Sequence, residues 1–148
     1  MLTNSQSQAL YPVLQHYTGV KIVSITCNED DRLIFNTSWG ESGLLIENNE
    51  GDWEIIIGKE LVDRIEKDVF DALVKPSVKS NIEEYIQILD HLAKDTKVSY
   101  RSKVLVSQIL GILEEFILNS NFVPKKEIKF GPFWIFSYKG NKFINSLN

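Results

Sequence analysis

The sequence predicts an α+β domain: an antiparallel four-stranded meander near the N-terminus, then three helices, then a C-terminal strand or hairpin. Three observations carry that expectation. Residues 20–57 alternate apolar and polar side chains between turn-rich breaks, which is the period of strands. Residues 58–118 switch to apolar stripes at three- and four-residue spacing, which is the period of helices. The aromatic tail then returns to alternation.

Before the strands, Ala9, Leu10, Val13, Leu14 and Tyr17 fall at helical spacing, with Pro12 starting or interrupting a short helix. The first strand is "VKIVSITC", rich in β-branched residues. "NEDD" turns the chain into "RLIFNTSW", where Leu33, Phe35, Thr37 and Trp39 share a face. "GES" leads to "GLLIE", and "NNEG" leads to "DWEIII", where Trp53, Ile55 and Ile57 share a face. Trp39 and Trp53 are therefore expected in the core.

A helix is expected over 58–75, with Leu61, Ile65, Val69, Ala72 and Leu73 as its stripe and Pro76 at its end. "SNIE", residues 80–83, is a capping-box pattern that opens the next helix. The last helix, about 100–118, is apolar except for a stripe of Ser107, Gln108, Gly111, Glu114 and Glu115, so it is expected to be central. Gly111 in mid-helix suggests a close backbone approach. In the tail, Ile128, Phe130, Trp134, Phe136 and Tyr138 lie on one face, and Gly140-Asn141 fits a hairpin turn.

The 148 residues fit one domain, 1–148, and 43% hydrophobic with 24% charged residues is a globular composition. The N-terminus lacks a basic region followed by an apolar run, so no signal peptide is expected. One cysteine, Cys27, cannot form an internal disulfide. The longest apolar stretch is too short for a bilayer and contains Glu114 and Glu115. These features lead to the expectation of a cytoplasmic protein with no membrane partner.

Charge is unevenly placed. Residues 22–58 hold eight acids and one base, a net of −7, in a chain whose total is −4. Residues 121–148 hold five lysines and one acid, a net of +4. In a meander the first and third turns lie at the same end of the sheet. Glu29, Asp30 and Asp31 should then lie near Glu50 and Asp52, with Glu54 extending the charge up one face and Glu41 at the other end. Two readings compete. Acids are common in solvated turns for local hydrogen-bonding reasons. Alternatively, they form a docking surface that steers a basic partner.

Catalytic constellations are scarce. Carboxylates beside Cys27 disfavour the thiolate a nucleophile needs. His16 and His91 are far apart in the chain and form no i, i+4 metal pair. No phosphate-cradling glycine loop occurs. The acidic balance argues against a nucleic-acid partner. No cofactor or metal is expected.

A small, acidic, single-domain α+β chain of this kind is similar in broad type to bacterial immunity proteins and antitoxins, and no residue carries over from them. That resemblance implies a protein-binding inhibitor, not an enzyme. It would neutralise a basic, nuclease-like toxin by occlusion, as a monomer or homodimer. The partner-binding residues would be Glu29, Asp30, Asp31, Glu50, Asp52 and Glu54. One alternative is an enzyme or ligand-binding protein with a pocket between sheet and helices, lined by Glu114, Glu115, His91 or Tyr138. Another is a regulatory subunit that self-associates through its aromatic tail.

Overall fold

Among the described residues five strands, not four, form the sheet. In the computed structural model, which describes residues 4–27, 32–74 and 82–119, β1 (Ile22–Cys27), β2 (Leu33–Thr37), β3 (Ser42–Glu47), β4 (Trp53–Ile57) and β5 (Glu60–Ile65) pair antiparallel in chain order. Helix α1 (Asn4–Thr18) precedes them, and α2 (Lys67–Leu73), α3 (Ile82–Lys94) and α4 (Tyr100–Asn119) follow. The protein is α+β with no helix long and apolar enough to cross a membrane among the described residues. The expected C-terminal strand and Ser80 of the expected capping box lie outside the described residues.

The fifth strand corrects the helix expected over 58–75. Gly58 takes a φ of 65°, which a glycine adopts at no steric cost. Gly58 and Lys59 then turn the chain back, so that Ile57 faces Glu60 and Trp53 faces Ile65. A bulge lies at the middle of β5 and offsets its register. Leu61 and Val62 are exposed, so the four-residue spacing of Leu61 and Ile65 that mimicked a helix does not mark one buried stripe. Helix α2 is the remainder, and it buries Val69, Phe70, Ala72 and Leu73.

One face of the sheet meets the helices. Leu33, Phe35, Leu45, Trp53, Ile55 and Ile65 join Leu10, Val13 and Leu14 of α1 and the inner residues of α2, α3 and α4 in one cluster. Trp53 stacks on Phe70 with ring centres 4.3 Å apart, so it is the core tryptophan expected. Trp39 is not. Strand β2 stops at Thr37, before the alternation would carry Trp39 inward, and Trp39 is 78% exposed. Gly43 sits opposite Phe35, and a Cβ there would collide with the Phe35 ring.

Helix α4 buries Leu105, Val106, Ile109 and Leu113, while Ser107, Gln108, Gly111 and Glu114 face solvent. The close approach expected at Gly111 is absent, because a Cβ there would meet nothing within 4 Å. Pro12 lies inside α1. Tyr85 of α3 donates its hydroxyl to the Ala72 carbonyl at 2.9 Å and so ties α3 to α2.

Candidate protein-binding surface

The first and third turns do leave the sheet at one end. Cys27 pairs with Leu33, Leu33 with Leu45, and Glu47 with Trp53. Glu29, Asp30 and Asp31 lie outside the described residues, but Cys27 and Arg32 on either side of them mark this end. Two strand spacings, about 10 Å, separate the two turns.

The third turn is built by its own side chains. Asn48 accepts the Glu50 and Asp52 amides on Oδ1, at 2.9 and 3.1 Å. Gly51 closes the turn at a φ of 88°. Glu47 and Glu50 are left exposed.

Asp52 is committed elsewhere. Its Oδ1 accepts the Lys67 amide at 2.9 Å, satisfying a free donor at the start of α2. Its Oδ2 lies 3.8 Å from Arg64, and its side chain is 18% exposed. Glu54 is half-buried and sits in register between Ile46 and Arg64, a cross-strand arrangement of opposite charges.

Strand β5 brings Arg64 to this end and α2 begins there at Lys67, two bases that the sequence reading had placed on one long helix. Asp52 lies 3.8 Å from Arg64, and Glu54 is in register with the same arginine, so these two acids face a base.

The opposite end carries Trp39. Thr37 is buried and accepts the Trp39 and Glu41 amides on its hydroxyl at 3.3 and 3.2 Å, which fixes the turn between β2 and β3. The turn was expected at "GES", but it starts earlier, at Ser38, and so exposes Trp39. Trp39 and Glu50 are separated by the length of β3, about 20 Å. The structure places this tryptophan at the far end.

A second group of polar residues was not visible in the sequence. Ser102 is buried at the first turn of α4. It donates its hydroxyl to Glu66, and its oxygen accepts from Tyr17 and Ser99. Glu66 also accepts the Ser99 amide at 3.0 Å, and Ser99 Oγ accepts the Ser102 amide at 3.3 Å. Arg101 donates to the Tyr17 carbonyl at the end of α1 at 2.7 Å and lies 3.5 Å from Asp63. Burial pushes the Tyr17 phenol well above its ordinary range, and it does the same to Tyr85. This corner joins α1, β5, α2 and α4.

Two of the expected pocket residues fall within the described side chains, and neither lines a cavity. His91 and Glu114 are exposed, the Glu115 side chain and Tyr138 lie outside the described residues, and Cys27 is exposed. A shallow cleft of about 290 Å³ opens between α1 and α4, lined by Pro12, Gln15, His16, Leu105 and Gln108. His16 donates from Nε2 to the Arg101 carbonyl at 2.8 Å, because a carbonyl can only accept. Among the described residues, no group of three or more His, Cys, Asp or Glu side chains is placed to hold a metal ion. No family model, no curated protein and no solved structure matches the chain.

Proposed function

We propose that this chain is a protein-binding inhibitor that occludes a basic partner through the acidic end of its sheet, in the manner of a bacterial immunity protein or antitoxin with a nuclease-like toxin. The observation that supports this reading is the convergence of the exposed Glu47 and Glu50 with the turn that carries Glu29, Asp30 and Asp31. A rim of one sign steers a partner of the opposite sign and speeds its association at low salt. Glu29, Asp30, Asp31 and Glu50 contact the partner in this reading. Glu54 adds charge on the adjoining face, and Asp52 holds the turn in shape more than it meets the partner. No cofactor, nucleic acid or membrane takes part, and the inhibitor acts in the cytoplasm.

The test is capture from an extract of the native cell at about 50 mM salt, where screening is weak. A basic protein should be retained, released by a salt step and identified by mass spectrometry. With that protein purified, the Glu29→Ser/Asp30→Ser/Asp31→Ser chain should bind about tenfold more weakly and with a flatter salt dependence. Equal affinity of the variant and the native chain at low salt would overturn the reading.

A further inference from the structure

The face of the sheet away from the helices is apolar where an antiparallel sheet facing water is ordinarily polar. Ile34 pairs with Leu44, Leu44 with Ile56, and Ile56 with Leu61, so one apolar row crosses β2, β3, β4 and β5. Ile46 lies beside that row on β3. Ile34, Leu44, Ile46 and Ile56 belong neither to the core cluster nor to the side chains packed against it. A polar ladder borders the row, in which Asn36 donates to Ser24 at 2.9 Å and Ser42 donates to Asn36 at 2.8 Å. Contiguous apolar patches of this kind mark surfaces that something covers.

We propose that the C-terminal segment 128–138 of the same chain covers this face. Three observations select it over other occupants. First, 29 residues follow Asn119, the end of α4. Eight of them, 120–127, reach about 27 Å when extended, enough to pass round a sheet edge from the helical side. Second, the segment alternates Ile128, Phe130, Trp134, Phe136 and Tyr138 on one face, an apolar stripe long enough to cross strands set about 4.8 Å apart. Third, charges match. The tail 121–148 carries +4 and the strand region 22–58 carries −7. This assignment does not rest on the inhibitor reading. Residues 128–138 lie across the face, and Lys125, Lys126, Lys139 and Lys142 flank them toward the acidic ends of the sheet.

Amide hydrogen exchange read by mass spectrometry on the full chain tests it, at a concentration where sedimentation shows a monomer. Peptides within 128–138 should exchange at least about tenfold more slowly than an unprotected chain. Leu44→Lys/Ile56→Lys should remove that protection while the α4 peptide 102–113 keeps its own. Phe136→Ser, a substitution in the tail that leaves the sheet residues unchanged, should remove it as well, which keeps the test decisive if the lysine pair unfolds the sheet. Unprotected exchange of 128–138 in the native chain would overturn the proposal. So would protection that survives Phe136→Ser together with a folded lysine pair, which means docking elsewhere. Protection that appears only at dimer concentrations would also overturn it, in favour of a second copy on this face.

Discussion

Carboxylates do two kinds of work in this molecule, and the difference lies in what they touch. At the corner where α1, β5, α2 and α4 meet, Glu66 holds Ser102 and the Ser99 amide, and Asp63 lies against Arg101. At the rim, Glu47 and Glu50 are exposed to water. Asp52 belongs to the corner by its bonds and to the rim by its place in the chain. Counting acids along the sequence therefore overstates the surface open to a partner. A carboxylate bonded to a helix amide gives up part of its field to the protein, and only the exposed ones keep it for a second molecule. Substitutions in the corner should change stability and leave salt-dependent binding alone. Substitutions in the rim should do the reverse.

The largest effect is expected at Glu66. Glu66→Ala leaves the buried Ser102 hydroxyl and the Ser99 amide without their acceptor, and hydrogen bonds to a charged group are worth about 1.5–3 kcal/mol. Urea denaturation should show a loss of about 2–3 kcal/mol, and Glu66→Gln, which keeps an acceptor oxygen, should lose less. Equal losses in the two variants would show that the charge, not the acceptor geometry, holds the corner.

Tyr17 gives the corner a pH signature. Burial raises its folded pKa above the ordinary value of 10.0, as it does for Tyr85. The unfolded chain then releases its phenol protons first as pH rises, so the folded state binds more protons above pH 10 and stability falls there. Below pH 10 the contribution is fully present. Tyr17→Phe should cost about 1 kcal/mol at neutral pH through the lost hydrogen bond to Ser102. It should also flatten the alkaline fall in stability, and Tyr17→Phe/Tyr85→Phe should flatten it further. An unchanged slope in the double variant would mean that these phenols do not control alkaline unfolding.

Asp52 and Glu50 sharpen the comparison within a single turn. Asp52→Ala should cost about 1 kcal/mol, because the Lys67 amide loses its partner at the start of α2. Glu50→Gln should stay within about 0.5 kcal/mol of the native chain, as exposed substitutions do. Thermal melts of the pair side by side check both. A Glu50 effect as large as that of Asp52 would break the distinction between corner and rim.

Four strands were legible because residues 22–57 alternate and glycines and asparagines punctuate them. Strand β5 was hidden by a coincidence of spacing. Leu61, Ile65, Val69 and Ala72 fit a helical stripe, while the true signal was the dipeptide Gly58-Lys59 between two apolar runs, a hairpin turn. Trp39 was misread because β2 ends two residues sooner than its alternation suggests, at a threonine whose hydroxyl turns the chain. The shared end of the first and third turns followed from meander topology alone. The corner had no signature at all, since Glu66 is 36 residues from Ser102 and Tyr17 is 85 residues from it. Partners that distant meet only through the fold.

Helix α4 supplies an effect that runs in the opposite direction. Gly111 faces solvent in mid-helix, and a Cβ there would meet nothing. Its backbone is helical, so alanine needs no strain to replace it. Glycine in such a position costs about 0.8–1.0 kcal/mol relative to alanine. Gly111→Ala should therefore raise stability by about that much and shift the urea midpoint upward with an unchanged slope. Its effect should add to that of Glu66→Ala, whose partners Ser99 and Ser102 lie at the start of α4, because the two sites share no partner. A destabilising Gly111→Ala would mean that a surface outside the described residues packs against this stripe.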